Sequence, residues 1–512
     1  MSQKELALRA ETFKSTISRL ESGERGCPWD LAERLADALN LTDKERDLLL
    51  KLASQDADAR KGSRRKNGLA GGDNALVEAE VSKTAGAGYA VLVAADALGG
   101  SAALLARSRD AEPYQSPRLR NDVIERLVTR YRQPQFFDDV RAMGGDILTE
   151  GQNVYPVVYF PAPPGQALAS VLPPANLDAR EGEPIRPEDV AVLDPRSRLN
   201  RWVAGHLGAS DAEADRNTRD GWNICSSQVA RTDRGLTLTA RLAPYGLILD
   251  SCDCLIDEAF ADPGAGEWPL RDRIDLAAGN PLIRGFGRAA GVGIAAVMVC
   301  VDQEPDGTRR LDALVGRRSK SVGTYPETWH VVPAGMFNWR FGPTDPNGRE
   351  SRPWGSYEAD DLLRSVLTEY AEETHDYRAL ETNRDRRVLE SVDVVQELVR
   401  VARIEVTGIA IDLANLRPEV CVLVFIEDPG WVARQPWKLN YEYTGHGQPT
   451  ARDAKEQSAE FTVITVAVEG EELNASARRR LDPEETVAAG AAAFWLGVRR
   501  ARQLFSRSLA SG

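Results

Sequence analysis

The sequence has few cysteines, few histidines, no long apolar run and no excess of positive charge. Its 512 residues include six cysteines and four histidines, too few for a disulfide scaffold or a histidine-rich metal site. No apolar run reaches the roughly 20 residues that cross a bilayer, and no signal-peptide pattern opens the chain. The formal net charge of −13 discourages general binding to nucleic acids or anionic membranes. We therefore expect a cytoplasmic protein without membrane contacts, whose cysteines are buried thiols.

The length and the apolar content predict several folded domains. Hydrophobic residues make up 42% of the chain, which is ample for burial, but a single core rarely grows beyond about 250–300 residues. Residues 54–85 are polar, contain several glycines and show no hydrophobic periodicity, a pattern that predicts a linker. Residues 86–234 carry no recognisable motif, so this middle region stays unassigned.

Several short helices are predicted within the first 53 residues. Apolar residues recur at helical spacing over 14–22, Gly23 is placed to end that helix, and Pro28 is placed to begin the next one. The helix over 14–22 presents small polar residues and an arginine outward, as a helix that enters the DNA major groove does. This part of the chain resembles the Cro/repressor-type (XRE family) helix-turn-helix proteins in residues 3–7 (QKELA), 15–21 (STISRLE), 23 (G) and 35–39 (LADAL).

That resemblance implies an all-α domain over residues 1–53 that binds double-stranded DNA, as a homodimer on a two-fold site. The side chains expected to read base edges are Ser15, Thr16, Ser18 and Arg19, and those expected to contact phosphates are Gln3 and Lys14. Because the chain as a whole is acidic, any DNA contact must be local to this domain. The alternative is a plain helical bundle that mediates protein contacts.

Apolar periodicity predicts strands and helices in the rest of the chain. Strands are expected over 154–160, 236–242, 246–249, 295–302, 404–411, 419–426 and 461–468. A further strand is expected to start at residue 311 and to end in Arg317 and Arg318. Helices are expected over 121–131, 281–289, 360–374 and 485–505. Cys252 and Cys254 lie two residues apart, a spacing that suits the alternation of a strand better than a zinc site.

A second group of chemically capable residues lies in the predicted helix over 360–374. Glu369, Glu372 and Glu373 are related by helical spacings of three and four, so their carboxylates share one face. Mg²⁺ prefers such oxygen ligands together with substrate phosphates, so these three glutamates form a candidate metal site. A solvated acidic helix face is the alternative.

The order of elements around this helix resembles a Nudix domain. The matching features are Arg317-Arg318-Ser319 at a strand end, Trp329, Pro333-Ala334-Gly335 and the Glu-x-x-Glu-Glu helix, within residues 235–507. The resemblance implies an α/β (α+β) fold that binds a nucleotide-type ligand and, in active members, uses Mg²⁺ for hydrolysis. Thr368 stands where the family has an arginine that orients a glutamate, and His375 stands where it has glycine.

Losing the orienting arginine favours ligand sensing over turnover, since misplacing a catalytic group costs much of its effect. The sequence thus predicts a multi-domain transcription regulator: a DNA-binding domain (1–53), a linker (54–85), an unassigned region (86–234) and a Nudix-like sensor domain (235–507). No catalytic residue is assigned. One alternative is a Mg-dependent nucleoside-diphosphate-type pyrophosphohydrolase with an accessory helical N-terminus. Another is an interaction protein in which both domains are vestigial.

Overall fold

The structure, a computed structural model, describes much of the chain after residue 117. The described residues are 118–176, 185, 189–192, 222–260, 268–304, 306–319, 324–339, 358–377, 386–437, 461–466, 473 and 475–511. The chain divides into two compact units, one of Met1–Glu112 and Val192–Asp220, the other of Pro113–Ala191 and Gly221–Gly512. Except for Val192, every described residue belongs to the second unit. The predicted DNA-binding domain and linker lie outside the described residues.

The second unit begins with two amphipathic helices and a strand pair. Helix α1 (Asn121–Tyr131) confirms the helix predicted over 121–131, and its buried side chains follow one face: Val123, Ile124, Leu127, Val128 and Tyr131. Helix α2 (Pro134–Ala142) starts with a proline, whose missing N–H would have no helical partner there. Strands β1 (Asp146–Glu150) and β2 (Asn153–Gln166) then pair in antiparallel fashion. The strand predicted over 154–160 lies within β2.

Further strands follow along the chain. They are β3 (Trp222–Thr232), β4 (Gly235–Pro244), β5 (Gly293–Gln303), β6 (Arg309–Arg317), β7 (Trp329–Val331), β8 (Ala334–Met336), β9 (Asn338–Trp339), β10 (Ala402–Asp412), β11 (Pro418–Ile426) and β12 (Phe461–Val466). Most of the predicted strands are confirmed by β4, β5, β6, β10, β11 and β12. These segments were predictable because each is a short, nearly continuous apolar run.

Most of these strands form one mixed sheet. In the described part of the chain it has nine strands, in the order β1-β2-β10-β11-β5-β6-β12, with β7 on β6 and β8 on β5. Strands β11 and β5 run parallel, and the other neighbours run antiparallel. Strands β1 and β2 come from the region 86–234, which the sequence assigns to no domain. The middle region therefore contributes to the same sheet as the predicted C-terminal domain.

A smaller sheet, β4-β3-β9, packs its middle strand against a run of turns over 281–290. A helix was predicted over 281–289, and that prediction is wrong. The backbone there bonds to β3 instead: Val229 N donates to Ile283 O (2.8 Å) and Ser226 N donates to Ala290 O (2.9 Å). The two backbones lie so close that a Cβ on Gly285 would be 1.7 Å from Ser226 O. Tertiary hydrogen bonds thus replace the helical ones.

Residues 245–260 are helical, although a strand was predicted over 246–249. They form helix α3 (Tyr245–Ile248), a π-helical turn (Leu249–Asp253) and helix α4 (Cys254–Phe260). The segment is buried on more than one side, which hides the helical period in its sequence. Cys252 and Cys254 therefore lie on helical backbone, and their spacing does not reflect a strand. The described cysteines are buried free thiols, as predicted: Cys225, Cys252, Cys254, Cys300 and Cys421.

Seven further α-helices lie in the described part of the chain. They are α5 (Pro269–Ala278), α6 (Asp361–His375), α7 (Arg386–Glu390), α8 (Asp393–Val401), α9 (Trp431–Arg434), α10 (Ala475–Arg480) and α11 (Ala488–Ser511). Helices α6 and α11 confirm the helices predicted over 360–374 and 485–505. None of the described helices is long and apolar enough to cross a membrane.

Helix α11 lies across the centre of the main sheet, against β2, β10, β11 and β5. Gly497 allows a close approach, because a Cβ at this position would lie 2.1 Å from the Cγ1 atom of Val297 in β5. All residues of β5 from Gly293 to Val301 are buried, as expected of a strand covered on both faces. Helices α8 and α9 contact β10 and β5, and α6 contacts β8.

Candidate functional site

The residues predicted to contact DNA lie outside the described part of the chain. These are Gln3, Lys14, Ser15, Thr16, Ser18 and Arg19. The geometry below therefore concerns the second compact unit, in which the glutamate helix and a nearby cavity can be built from described residues.

The three glutamates of α6 are buried. Glu369, Glu372 and Glu373 have exposed fractions of 9%, 6% and 2%, so the alternative of a solvated acidic face does not hold. The Oε2 atom of Glu373 accepts a hydrogen bond from the backbone N–H of Ala334 (2.8 Å). The Glu369 carboxylate lies against Gly335, where a Cβ would be 2.4 Å from the carboxyl carbon. Helix α6 thereby holds β8 and the turn before it.

A magnesium ion was predicted at these glutamates. In the part of the chain that the structure describes, no group of three or more His, Cys, Asp or Glu side chains is placed to hold a metal ion. The carboxylate of Glu373 is engaged by the backbone, and that of Glu369 packs on a glycine. The described arrangement therefore does not fit the predicted magnesium site.

A polar cavity of about 160 Å³ lies beside β8, and the α6 glutamates are not part of its wall. Its polar lining comes from segments far apart in the sequence: Tyr245, Arg318, Thr324, Tyr325, His330, Asn415, Arg417 and Glu419. Ile294, Ala334, Gly335, Met336 and Val487 complete the wall. The cavity thus combines a strand end of β6, the loop to β7, strand β8 and the turn between β10 and β11.

The β10–β11 turn is held by a buried arginine. Arg271 of α5 is fully buried, and its guanidinium donates hydrogen bonds to Leu413 O (2.8 Å) and Ala414 O (2.6 Å). Its charge is balanced by Glu258, 3.3 Å away. A buried guanidinium that is both paired and hydrogen-bonded is strongly localised. Arg271 thus fixes the turn from which the cavity residues project.

Within the turn, two hydrogen bonds place the cavity side chains. Leu416 N donates to Asp412 O (2.7 Å), and Arg417 N donates to the Asn415 side-chain oxygen (2.9 Å). Leu416 has a φ of +58°, a left-handed conformation that is uncommon for leucine. The turn therefore aims Asn415 and Arg417 into the cavity wall at a local conformational cost.

Arg417 is partly neutralised inside the protein. Its Nη1 atom lies 3.7 Å from Asp253 Oδ1, and its Nη2 atom contacts the sulfur of Met336. Burial lowers the pKa of Arg417, but Asp253 and other neighbours raise it above its ordinary value, so the guanidinium stays charged. Burial raises the pKa of Asp253 to about 6, against the lowering effect of Arg417.

The loop before β7 supplies a tyrosine and a neutral histidine. The Tyr325 hydroxyl donates to Asp412 Oδ2 (2.8 Å), and Tyr325 itself has a φ of +51°. Burial, with a smaller effect of Arg318, lowers the pKa of His330 to about 3. The Nδ1 atom of His330 lies 2.9 Å from the carbonyl oxygen of Val331. A neutral ring that donates from Nδ1 leaves Nε2 as an acceptor.

Arg318 and Glu419 are further charged residues of the wall. Arg318 directly follows β6, and its Nε atom is buried without a hydrogen-bond partner among the described residues. Glu419 lies against Gly293, where a Cβ would be 2.6 Å from its Cγ. Burial raises the pKa of Glu419 to about 7, although Arg417 and Arg318 lower it. The cavity thus contains a cation with an unused donor and a carboxyl group that can be neutral.

The sequence predicts only part of this site. Arg318 and the segment Pro333-Ala334-Gly335 were singled out as family features, whereas Tyr325, Arg417 and Glu419 were not. The available signal was Asp412, Asn415 and Arg417, which lie between the strands predicted over 404–411 and 419–426. Such a cluster marks a turn, but it does not show which other segments the turn meets.

Comparison with known proteins adds one finding. Residues 1–49 match the family model of a helix-turn-helix domain. No curated protein and no solved structure matches the chain. The match supports a DNA-binding regulator and agrees with the predicted helix-turn-helix. The finer assignment to the Cro/repressor type, the homodimer and the Nudix-like domain stay predictions.

Proposed function

We propose that this protein is a transcription regulator that binds specific DNA sequences through its N-terminus and senses a small ligand in its second unit. The observation that carries the proposal is the helix-turn-helix match over residues 1–49. In such domains the second helix enters the major groove, and two copies read half-sites about 34–36 Å apart. We infer a Cro/repressor-type domain acting as a homodimer.

Side-chain chemistry supports the assignment of the reading helix. Arginine makes bidentate contacts with guanine, and serine or threonine can contact any base, so Ser15, Thr16, Ser18 and Arg19 are the proposed readers. Gln3 and Lys14 are proposed to contact phosphates. Because the net charge is −13, affinity must come from these local contacts and not from the field of the whole chain.

The sensing role is supported by the second unit. Its mixed sheet with packed helices is of the α/β class that the Nudix resemblance implies, and its cavity offers polar and charged groups. The α6 glutamates hold β8, so they support the wall of the cavity. This use of the glutamates favours binding without turnover.

The first test is capture of genomic fragments. The full chain is mixed with sheared DNA from its own source at about 0.1–0.2 M salt, where weak non-specific binding is suppressed. Enrichment of a few sites that share a two-fold motif is the expected result. A bound pool with no shared sequence would overturn the proposal of specific DNA binding.

Arg19→Ala tests the reading helix on the enriched site. We expect it to weaken specific binding by about 1–3 kcal/mol, because a bidentate base contact is lost. Arg34→Ala removes the same charge from another predicted helix and should leave affinity nearly unchanged. Equal effects of the two substitutions in a titration of labelled operator would show that only charge matters and that Arg19 reads no base.

Turnover would overturn the sensing role. Nucleotide sugars and dinucleotides are incubated with the protein and Mg²⁺, and released phosphate is measured after phosphatase treatment. We expect no release above a no-enzyme control. Release that Glu372→Gln abolishes would establish the alternative, a pyrophosphohydrolase.

A further inference from the structure

Two arginines in the cavity wall each have an unused donor. The Nε atoms of Arg318 and Arg417 are buried and have no hydrogen-bond partner among the described residues. Arg417 has an exposed fraction of only 9%, and its other guanidinium atoms face Asp253 and Met336. Buried polar groups in proteins nearly always have a partner, and the described residues supply none for these two donors.

The chemistry of these donors defines the acceptor. Guanidinium groups bind oxyanions with charge-assisted hydrogen bonds, and planar or tetrahedral oxygen groups fit their geometry. The hydroxyl of Tyr325 is already engaged with Asp412, and His330 is neutral. Neither carries a charge, so the charged side chains of the wall are the two arginines and Glu419, with Asp253 paired to Arg417.

The size of the cavity limits the group that it encloses. A volume of about 160 Å³ is close to the roughly 150 Å³ of an engineered cavity that holds benzene. Sites for whole drug-sized ligands measure about 300–1,000 Å³. The cavity therefore encloses one compact group, and any larger part of a ligand lies outside it.

We propose that the cavity binds a single compact oxyanion group of the effector, a phosphoryl or carboxylate group, between Arg318 and Arg417. This inference rests on the sensing part of the proposed function and names the ligand chemistry of that site. It also separates the anion site from the α6 glutamates, which are absent from the wall.

Glu419 makes the site sensitive to pH. Burial raises the pKa of Glu419 to about 7; Arg417 and Arg318 lower it and Asp412 raises it. A protonated Glu419 can donate a hydrogen bond to an oxyanion, whereas the ionised form repels it. Binding should therefore strengthen as the pH falls from about 8 to 6. The pKa of Asp253 is about 6. Its protonation removes the negative charge beside Arg417, so it also strengthens anion binding near pH 6.

Isothermal titration calorimetry of the full chain with sulfate tests the site. Sulfate keeps its charge between about pH 6 and 8, so any pH dependence belongs to the protein. Ionic strength is held constant with chloride. We expect saturable binding that Arg318→Gln weakens by about tenfold or more, as expected for a lost charge-assisted pair. Arg309→Gln, on the exposed start of β6, is the matched control and should retain binding.

Two further titrations determine the type of oxyanion and the origin of the pH dependence. Inorganic phosphate and acetate distinguish a phosphoryl from a carboxylate group, and binding of either one supports the proposal. Glu419→Gln should bind sulfate with a smaller pH dependence, because its amide always offers a donor; the part that remains near pH 6 belongs to Asp253. Absence of saturable binding for all three anions, or binding that Arg318→Gln leaves unchanged, overturns the proposal. Operator binding is measured on the same samples, so that a failed anion site with intact DNA binding is told apart from a failed regulator.

Discussion

Buried titratable side chains give the cavity its character at the residue scale. Asp253 and Glu419 have pKa values raised by burial to about 6 and about 7, and burial lowers the pKa of His330 to about 3. Burial disfavours the charged form of each group. The neighbouring arginines partly counteract this effect for the two carboxyl groups, because their positive charge favours the ionised carboxylate, but not for the histidine. The site therefore keeps a neutral histidine beside two fixed cations, which favours an anionic ligand.

The His330 ring should make the unit sensitive to acid. In the folded chain the pKa of His330 is about 3, while in the unfolded chain it is about 6.5. Between these values the unfolded state binds more protons, so the free energy of unfolding falls as the pH falls, by at most about 1.4 kcal/mol per pH unit. Stability from this group is fully present above about pH 6.5.

His330→Gln removes that proton linkage and keeps a donor for Val331 O. Urea unfolding of the wild type and the variant at about pH 7 and pH 5 measures it. We expect a smaller loss of stability in the variant over this interval, because all other titrating groups are shared. Equal losses in both proteins would mean that the pKa of His330 is the same in the folded and the unfolded chain, and hence that the ring is not buried.

At the scale of elements, glycines set how closely helices and strands approach. Gly497 brings α11 onto Val297, Gly335 accepts the Glu369 carboxylate of α6, and Gly285 lies against the backbone of β3. In each case a Cβ would lie closer than 3.0 Å to its neighbour. The distances between these helices and strands thus depend on glycine at specific positions, and apolar periodicity does not predict those positions.

Gly497→Ala tests the contact between α11 and β5. Alanine favours a helix over glycine by about 1 kcal/mol, but its Cβ would lie 2.1 Å from a stiff β-branched side chain. We expect the clash to win, with a net destabilisation of about 1–3 kcal/mol. Ser506→Ala, at an exposed position of the same helix, is the control and should change the thermal midpoint little. An unchanged or raised midpoint for Gly497→Ala would show that α11 is not held this closely.

At the scale of the whole molecule, sensing requires that the ligand and the DNA influence each other. A ligand shifts the DNA-binding state only by its different affinity for the two states. Thermodynamic linkage then makes the effect reciprocal, with typical factors of about 5–150. The anion site and the helix-turn-helix lie in different parts of the sequence, which makes such reciprocity a direct test of communication.

Operator affinity is therefore measured with and without saturating sulfate, and sulfate affinity with and without saturating operator, at constant ionic strength. We expect both affinities to change by the same factor within the range of about 5–150, and Arg318→Gln to remove the change in operator affinity. Arg309→Gln serves as the control. Operator affinity that is indifferent to bound sulfate would overturn the sensing role while leaving DNA binding and the anion site intact.

The amino-acid sequence by itself predicts the helices and strands whose buried residues recur with a regular local spacing. Helix α1, strands β5, β10 and β11 and helix α6 each carry a long apolar pattern, and the residues of the helix-turn-helix follow one another in a single short span. Such features depend on neighbours within about one or two turns or one strand. The buried thiols were predictable for a similar reason, since so few cysteines occur in a chain without a disulfide pattern.

Tertiary structure decided the rest. Residues 281–289 became turns because β3 took their backbone hydrogen bonds, and residues 245–260 became helical where burial on several sides hid the period. Glu369 and Glu373 of α6 turned inward to hold β8. Arg318, Tyr325 and Arg417 line one cavity because the order of strands in the sheet brings together segments that are far apart in the sequence. The apolar periodicity of the sequence indicates which residues are buried. The residues that they contact are determined only by the tertiary fold.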